Sequence, residues 1–208
     1  MPKIYIYLVR TNSLLSRAIA RVTGDLYTHC GIAFAPDLKA VYSFGRKVPK
    51  VFWKAGLVRE NLAAKPHLLY QNSPCCLLEV EVGAADLRTI KQRLRLFCQR
   101  SSSFRYNLAG LFAANAGIRL ERQNHYFCSQ FLANLFQGTG LFARSPALTK
   151  PSDFIGMPNS QILYAGLMDY RTLQKLPAVR MHYQLAAFAD QLESFLHSTL
   201  MGPSGQPS

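Results

Sequence analysis

The stretch NHYFCSQFLANLF, residues 124–136, places a cysteine where extended chain gives way to a helix. The spacing of its apolar residues predicts a helix within residues 126–140, which Gly138 and Gly140 end. Cys128 would then lie at the helix N-terminus, where the pKa of a thiol is lowered. A single buried cysteine is more often structural, so the role of Cys128 depends on a partner elsewhere in the chain.

A histidine at the start of an apolar strand is the strongest candidate for that partner. His29 opens THCGIAFA, residues 28–35, and would be held on a rigid strand as a general base. The other histidines lie in irregular or terminal segments, or beside the cysteine itself, and are weaker candidates: His67, His125, His182 and His197. The pair Cys128 and His29 therefore predicts nucleophilic thiol chemistry.

A zinc site is the competing interpretation, because residues 29–30 and 125–128 together hold two histidines and two cysteines. Adjacent residues of a strand point to opposite faces, so His29 and Cys30 would not easily reach one ion. The spacing also lacks a CxxC pair. We therefore expect no metal. The chain has five irregularly spaced cysteines, an odd number, which predicts no disulfide framework.

The remaining patterns predict an α+β domain with an antiparallel sheet packed against helices. Residues 48–74 show no clean period and are expected to form a long irregular connection. Residues 1–200 are expected to form one domain, with a disordered tail at 201–208. The expected strands are 3–10, 28–35, 40–47, a half-buried strand at 75–82, and 161–166; the expected helices are 13–24, from Ser13 to Gly24, then 84–100, 105–116, 126–140 and 184–200.

The net charge of +13 favours contact with anionic surfaces, although an otherwise ordinary basic enzyme fits equally well. No nucleic-acid motif is visible, so no specific nucleic-acid partner is expected, and the basic face of helix 84–100 is expected to be solvated. The N-terminus reaches Arg10 after a short apolar stretch, unlike a signal peptide, and no stretch approaches the roughly 20 apolar residues of a membrane span. A cytoplasmic location is expected.

Four motifs in series resemble the circularly permuted papain-like cysteine enzymes of the NlpC-type superfamily, most closely a bacterial branch related to lecithin:retinol acyltransferase. The motifs are THCGIAF (28–34), VYSFGRK (41–47), GLVRE (56–60) and YFCSQFLANLF (126–136). PSDF (151–154) and YAGLMDY (164–170) also fit, so the resemblance covers roughly residues 3 to 170. No single motif is unique, and the resemblance rests on their order and spacing.

The resemblance implies a permuted papain-like fold in which Cys128 is the nucleophile and His29 the base, with no cofactor. It places the third, orienting residue on the strand after the histidine, where this chain has Ser43. Glu60 is the alternative if its segment folds back toward the site. The candidate substrate-binding residues are Tyr42 and Arg46, beside Ser43, and Tyr126 and Gln130, beside Cys128.

The implied activity is a thiol hydrolase or acyltransferase that cleaves an amide or ester through an acyl-thioester. A peptide or peptidoglycan amide is the first expected substrate, and an acyl-lipid at an anionic membrane is the main variant. The competing hypothesis is a non-catalytic binding module that keeps the fold, which the weak orienting ability of serine favours.

Overall fold

The computed structural model describes residues 1–11, 13–48, 51–62 and 72–168. Within them the chain forms a six-stranded antiparallel sheet, four α-helices and a separate pair of short parallel strands, which confirms the predicted α+β class. The predicted helix at 184–200 and tail at 201–208 lie outside the described residues. The strands are β1 (Lys3–Val9), β2 (His29–Ala33), β3 (Val41–Val48), β4 (Val51–Glu60), β5 (Pro74–Glu81), β6 (Arg105–Tyr106), β7 (His125–Tyr126) and β8 (Ser160–Leu167); the helices are α1 (Leu14–Thr23), α2 (Ala84–Gln99), α3 (Leu108–Asn115) and α4 (Cys128–Phe136).

The six strands lie in the order β4-β3-β2-β1-β5-β8, and α4 packs against β2 and β3. The alternation of β1 divides its side chains between the two faces of the sheet. Ile4, Ile6 and Leu8 enter the core that includes α4, whereas Tyr5 and Tyr7 enter a second core. The sheet is thus buried on both faces around β1 because apolar side chains occupy both sides of that strand.

Helix α1 begins and ends where its sequence predicts. The Ser13 hydroxyl accepts a hydrogen bond from the Ser16 amide at 3.1 Å, which satisfies one of the free donors at the helix start. Gly24 ends the helix with a φ of +64°, a conformation that glycine adopts without steric cost, and its amide donates to the Ala20 carbonyl.

The prediction of an irregular connection over residues 48–74 was wrong for Val51–Glu60, which forms β4 and pairs antiparallel with β3. Val51, Phe52, Trp53 and Val58 are residues that favour strands, but Lys54, Ala55 and Gly56 interrupt the alternation that would have revealed one. The β3–β4 hairpin matters for the site because its register places Glu60 opposite Val41, beside β2.

Two smaller predictions also need correction. Strand β5 is not half-buried, because it lies between β1 and β8 and every residue from Pro74 to Val80 is buried. Helix α3 begins at Leu108 rather than at residue 105, since Arg105 and Tyr106 form β6 and the Asn107 side chain caps the helix by accepting from the Gly110 amide. Helix α4 is shorter than predicted and runs from Cys128 to Phe136.

An aromatic cluster joins strand β3 of the sheet to helices α2 and α4. The centroid of the Phe44 ring of β3 lies 5.3 Å from that of Phe131 of α4, and the centroid of the Phe97 ring of α2 lies 5.0 Å from that of Phe131. Arg93 of α2 donates to the Asn134 and Leu135 carbonyls at the end of α4. The basic face of α2 was predicted to be solvated, and for Arg93 this prediction is wrong.

Among the described residues, none of the helices has both the length and the apolar character to cross a membrane.

Candidate active site

Cys128 is the first residue of α4, and local backbone geometry sets this position. Residues 125–126 are extended as β7, and Phe127 continues the extended chain at φ −104° and ψ 169° before the helix begins. The first intrahelical bond runs from the Phe131 amide to the Phe127 carbonyl at 2.9 Å. The amides of the first turn, including that of Cys128, therefore have no acceptor within the helix and form its positive end.

His29 is the first residue of β2 and lies where β2 and β3 separate. Their pairing runs from Ala33 opposite Val41 to Gly31 opposite Ser43, and continuing that register would place His29 opposite Gly45. A β-carbon on Gly45 would lie 3.4 Å from Cε1 of His29, at the short end of ordinary van der Waals contact. The backbone at Gly45 therefore borders the imidazole, which is only 9% exposed.

Glu60, at the end of β4, approaches the imidazole. Its Oε2 lies 3.8 Å from Nε2 of His29. The Ser43 hydroxyl, the other candidate orienting group, is buried and has no hydrogen-bond partner among the described residues. The ion-pair distance and the effect of Glu60 on the pKa of His29 therefore favour Glu60 over Ser43 as the group that stabilises charged His29.

The Cys128 sulfur lies in a buried environment built by β2. The residue is 1% exposed, and Sγ lies 3.9 Å from the carbonyl oxygen of Thr28, immediately before His29. The sulfur shares side-chain hydrogen bonds with His29 and with the Cys30 thiol. Cys30 belongs to the same core as α4, so neighbouring residues of one strand both approach the sulfur.

These contacts shift the pKa values of the pair in opposite directions. The hydrogen bond from Cys30 lowers the pKa of Cys128, burial opposes it, and with His29 added the pKa falls well below its ordinary value. Burial alone would lower the pKa of His29, but hydrogen bonds and charges from Cys128 and Glu60 raise it to about 10. Both shifts favour a charged pair, a thiolate beside an imidazolium, over the neutral pair.

A narrow cleft reaches Cys128 between α1, α3 and the segment around Thr149. Thr28 and Tyr27 lie on the β2 side of the cleft, and Ile19 and Leu111 form apolar walls. Lys150 lines it as well. The cleft has space for about one water molecule, about 10 Å³, and the Cys128 thiol at its end is almost fully buried.

The candidate substrate-binding residues lie elsewhere. Tyr126 packs in the aromatic cluster, with its ring 5.5 Å from Phe44, and Tyr42 packs edge-on against Phe34. Gln130 is buried, and its Oε1 accepts from Asn107 at 3.5 Å. Arg46 lies on β3 opposite Ala55. The Nδ1 atom of His125 contacts the Gln123 carbonyl at 2.7 Å.

Sequence reasoning missed three residues around the thiol: Thr28, Cys30 and Lys150. Cys30 was considered only as a metal ligand, because strand alternation directs it away from His29. Its contact with Cys128 depends on how α4 crosses the start of β2, which no local pattern encodes. The only sequence feature that drew attention to the segment around Lys150 was the PSDF motif, residues 151–154, which follows it directly.

The site is thus a cysteine, a histidine and a carboxylate from three separate elements, α4, β2 and β4. In the described residues, no group of three or more His, Cys, Asp or Glu side chains converges as a metal site would require. The arrangement is chemically able to form a thiolate and to transfer a proton through His29. Comparison of the chain with protein-family models and with curated proteins gave no match.

Proposed function

We propose that the protein is a cysteine-dependent hydrolase or acyltransferase in which Cys128 is the nucleophile, His29 the acid–base residue and Glu60 the orienting residue. The observation that carries the proposal is the burial of the Cys128 thiol at the N-terminus of α4, beside an imidazole that is itself 3.8 Å from the Glu60 carboxylate. A nucleophile, a base and an orienting group in contact form the arrangement that activates a thiol.

The chemistry proceeds in two acyl-transfer steps. Because Nε2 of His29 faces Glu60, Nδ1 is the nitrogen left to exchange the proton of Cys128. The thiolate attacks an amide or ester carbonyl, a carbon–sulfur bond forms, and the leaving amine or alcohol takes the proton from His29. Water or another acceptor, deprotonated by His29, then attacks the thioester, releases the acyl group and restores the thiol.

The start of α4 supplies a place for the developing negative charge. The amides of the first turn, including that of Cys128, have no acceptor within the helix, and the helix dipole points its positive end toward the sulfur. A carbonyl oxygen placed there would be stabilised as it becomes an oxyanion.

For the substrate we propose an amide such as a peptide or peptidoglycan bond, in the permuted papain-like fold that the motif order implies. An acyl-lipid is the main variant, supported by the net charge of +13 and its attraction to anionic surfaces. All five cysteines are free thiols, which fits a reducing compartment such as the cytoplasm.

The direct test is to locate the acyl group after reaction with activated acyl esters, using intact mass and peptide mapping. We expect one adduct, on Cys128, that hydroxylamine removes as it does a thioester. Cys98 is the exposed thiol and serves as an internal control for non-specific acylation. Adducts that follow exposure, on Cys98 and not on Cys128, would overturn the proposal.

Glu60→Gln is expected to lower kcat about 10- to 100-fold, because the imidazolium loses a charged partner worth about 1.5–3 kcal/mol. Ser43→Ala is the matched control and should change kcat less than about threefold, since the Ser43 hydroxyl has no partner to lose among the described residues. Steady-state kinetics and thermal melting of both variants check this. A larger loss of activity in Ser43→Ala would make serine the orienting residue instead.

A further inference from the structure

Cys30 contacts the proposed nucleophile but takes no part in the proposed acyl transfer. Its thiol is fully buried and shares a hydrogen bond with the Cys128 sulfur. Three consecutive residues approach that sulfur, since the Thr28 carbonyl lies 3.9 Å from it and His29 also bonds to it. The first residue of α4 thus lies directly against the start of β2, and this packing holds the two thiols together.

The register of the sheet excludes the other buried cysteines as disulfide partners of Cys30. Cys30 pairs with Leu8 of β1, and Leu8 pairs in turn with Cys76 of β5, so two strand spacings separate the cysteines. Neighbouring strands are about 4.8 Å apart, which places the two α-carbons about 10 Å apart, beyond the roughly 7 Å that a disulfide bridges. Cys75 belongs to the core on the other face of the sheet. Cys128 is therefore the buried partner within reach.

The two thiols differ as the reactive and the resolving cysteine of a redox-sensitive pair differ. Hydrogen bonds from Cys30 and His29 lower the pKa of Cys128, and thiolate character makes a cysteine the first to be oxidised. Burial, together with the adjacent Cys128, raises the pKa of Cys30, which therefore remains a neutral thiol and donates the hydrogen bond.

The cleft at Cys128 decides which thiol an oxidant meets and how large that oxidant is. Cys128 lines the cleft, whereas Cys30 does not, so an oxidant that enters meets Cys128 first. The space is that of about one water molecule, about 10 Å³. Hydrogen peroxide has only one oxygen atom more than water, so small movements of the lining side chains admit it.

We propose that Cys30 and Cys128 form a peroxide-sensitive dithiol pair, in which Cys30 converts oxidised Cys128 into a reversible disulfide. The Cys128 thiolate attacks one peroxide oxygen: an S–O bond forms, the O–O bond breaks, and the departing hydroxide takes up the proton that the thiol had given to His29. The Cys30 sulfur then attacks the sulfur of the sulfenic acid. An S–S bond forms, the S–O bond breaks, and the Cys30 proton leaves with the hydroxide as water. The two thiols lose two electrons, which reduce the peroxide to two molecules of water.

The disulfide would block the nucleophile and protect it at the same time. It removes the thiolate that the proposed acyl transfer needs, and it prevents further oxidation of Cys128 to the sulfinic acid, which thiols do not reverse. The loss of activity rests on the proposed function. The disulfide itself rests on the contact between the two thiols and on the access of the cleft to Cys128.

The test treats the full chain with hydrogen peroxide, blocks the remaining thiols with N-ethylmaleimide under denaturing conditions, and maps the unreduced peptides by mass spectrometry. We expect a peptide pair linked through Cys30 and Cys128, about 2 Da lighter than the two free thiols. Turnover should fall about tenfold or more, because the nucleophile is blocked, and dithiothreitol should restore it. Oxidation of the exposed Cys98 shows that the peroxide dose was sufficient, so oxidised Cys98 without the linked pair would overturn the inference.

Cys30→Ser removes the resolving sulfur but keeps a hydroxyl that can donate to Cys128. In this variant Cys128 should proceed to the sulfinic acid, about 32 Da heavier, which dithiothreitol does not reverse. Cys76→Ala is the matched control, because Cys76 is buried in the same core but lies two strands from Cys30, and the linked pair should still form. Full recovery of Cys30→Ser with dithiothreitol would contradict the inference. The wild-type peptide map decides the question even if a variant fails to fold.

Acylation and disulfide formation are measured separately, so their failures are distinguishable. A linked pair without an acyl adduct on Cys128 would keep the dithiol pair and reject the proposed acyl transfer. An acyl adduct on Cys128 without a linked pair would do the reverse. Absence of both would reject both.

Discussion

Replacing Cys128 with alanine is expected to abolish turnover, with a fall in kcat of about 10⁴-fold or more. In the proposed reaction the Cys128 sulfur forms the covalent bond to the acyl group, and without it the helix dipole and binding contacts would give only residual rate enhancement. Loss of one buried sulfur leaves a small cavity, so the variant should still fold. Steady-state kinetics with a reactive ester or amide substrate, together with thermal melting, measure both effects.

Cys30→Ala is the informative comparison for Cys128→Ala. Cys30 is also fully buried and contacts the Cys128 sulfur, but it makes no covalent bond in the proposed reaction. We expect it to keep measurable turnover while raising the pKa of Cys128, since a hydrogen bond to the thiolate is lost. Turnover that survives Cys128→Ala and disappears in Cys30→Ala would contradict the proposal and make Cys30 the nucleophile.

Replacing His29 with alanine is the second large effect, with an expected fall in kcat of about 10³- to 10⁴-fold at neutral pH. In the native protein the pKa of Cys128 is lowered and that of His29 is raised to about 10, so thiolate and imidazolium coexist between the two values. Activity should therefore be flat across neutral pH. It should fall in acid as the thiolate is protonated, and fall again near pH 10 as His29 loses its proton.

The His29 variant should also change how Cys128 reacts with iodoacetamide. Without the imidazolium the pKa of Cys128 rises, so its alkylation at neutral pH should slow and become faster with rising pH. Mass spectrometry of the Cys128 peptide over a pH series measures this, and the exposed Cys98, whose pKa is raised by partial burial, gives the reference for a thiol without an activating imidazolium. An alkylation rate of Cys128 that matches Cys98 in the native protein would contradict the thiolate–imidazolium pair.

The sequence revealed most of the regular elements because their signals are local. The Ser13 and Gly24 caps mark α1, alternation marks β1, and the apolar period marks α2 and α4. The start of α4 at Cys128 was also readable, since extended aromatic residues precede a helical run. These features depend on neighbours within a few positions, which is the range that propensity and periodicity report.

Strand β4 shows where local signals fail. Its middle residues interrupt the alternation, and the strand is stabilised by pairing with β3 rather than by its own pattern. The sequence left Ser43 and Glu60 as alternative orienting residues, because the position of Glu60 relative to His29 depends on the β3–β4 pairing, which the sequence did not predict. Once β4 lies beside β3, Glu60 faces His29 while the Ser43 hydroxyl is buried without a partner among the described residues.

By itself, then, the sequence determined the α+β class and placed Cys128 and His29, the two side chains proposed to react, at or near the start of their elements. The tertiary structure alone decided that His29 and Cys128 meet, that the Glu60 carboxylate lies beside His29, and that Lys150 lines the same narrow cleft as Cys128. The reason is physical. Caps and periodicity act over a few residues, whereas a site made from α4, β2, β4 and a late loop depends on long-range strand pairing and helix packing, which a single sequence read locally does not encode.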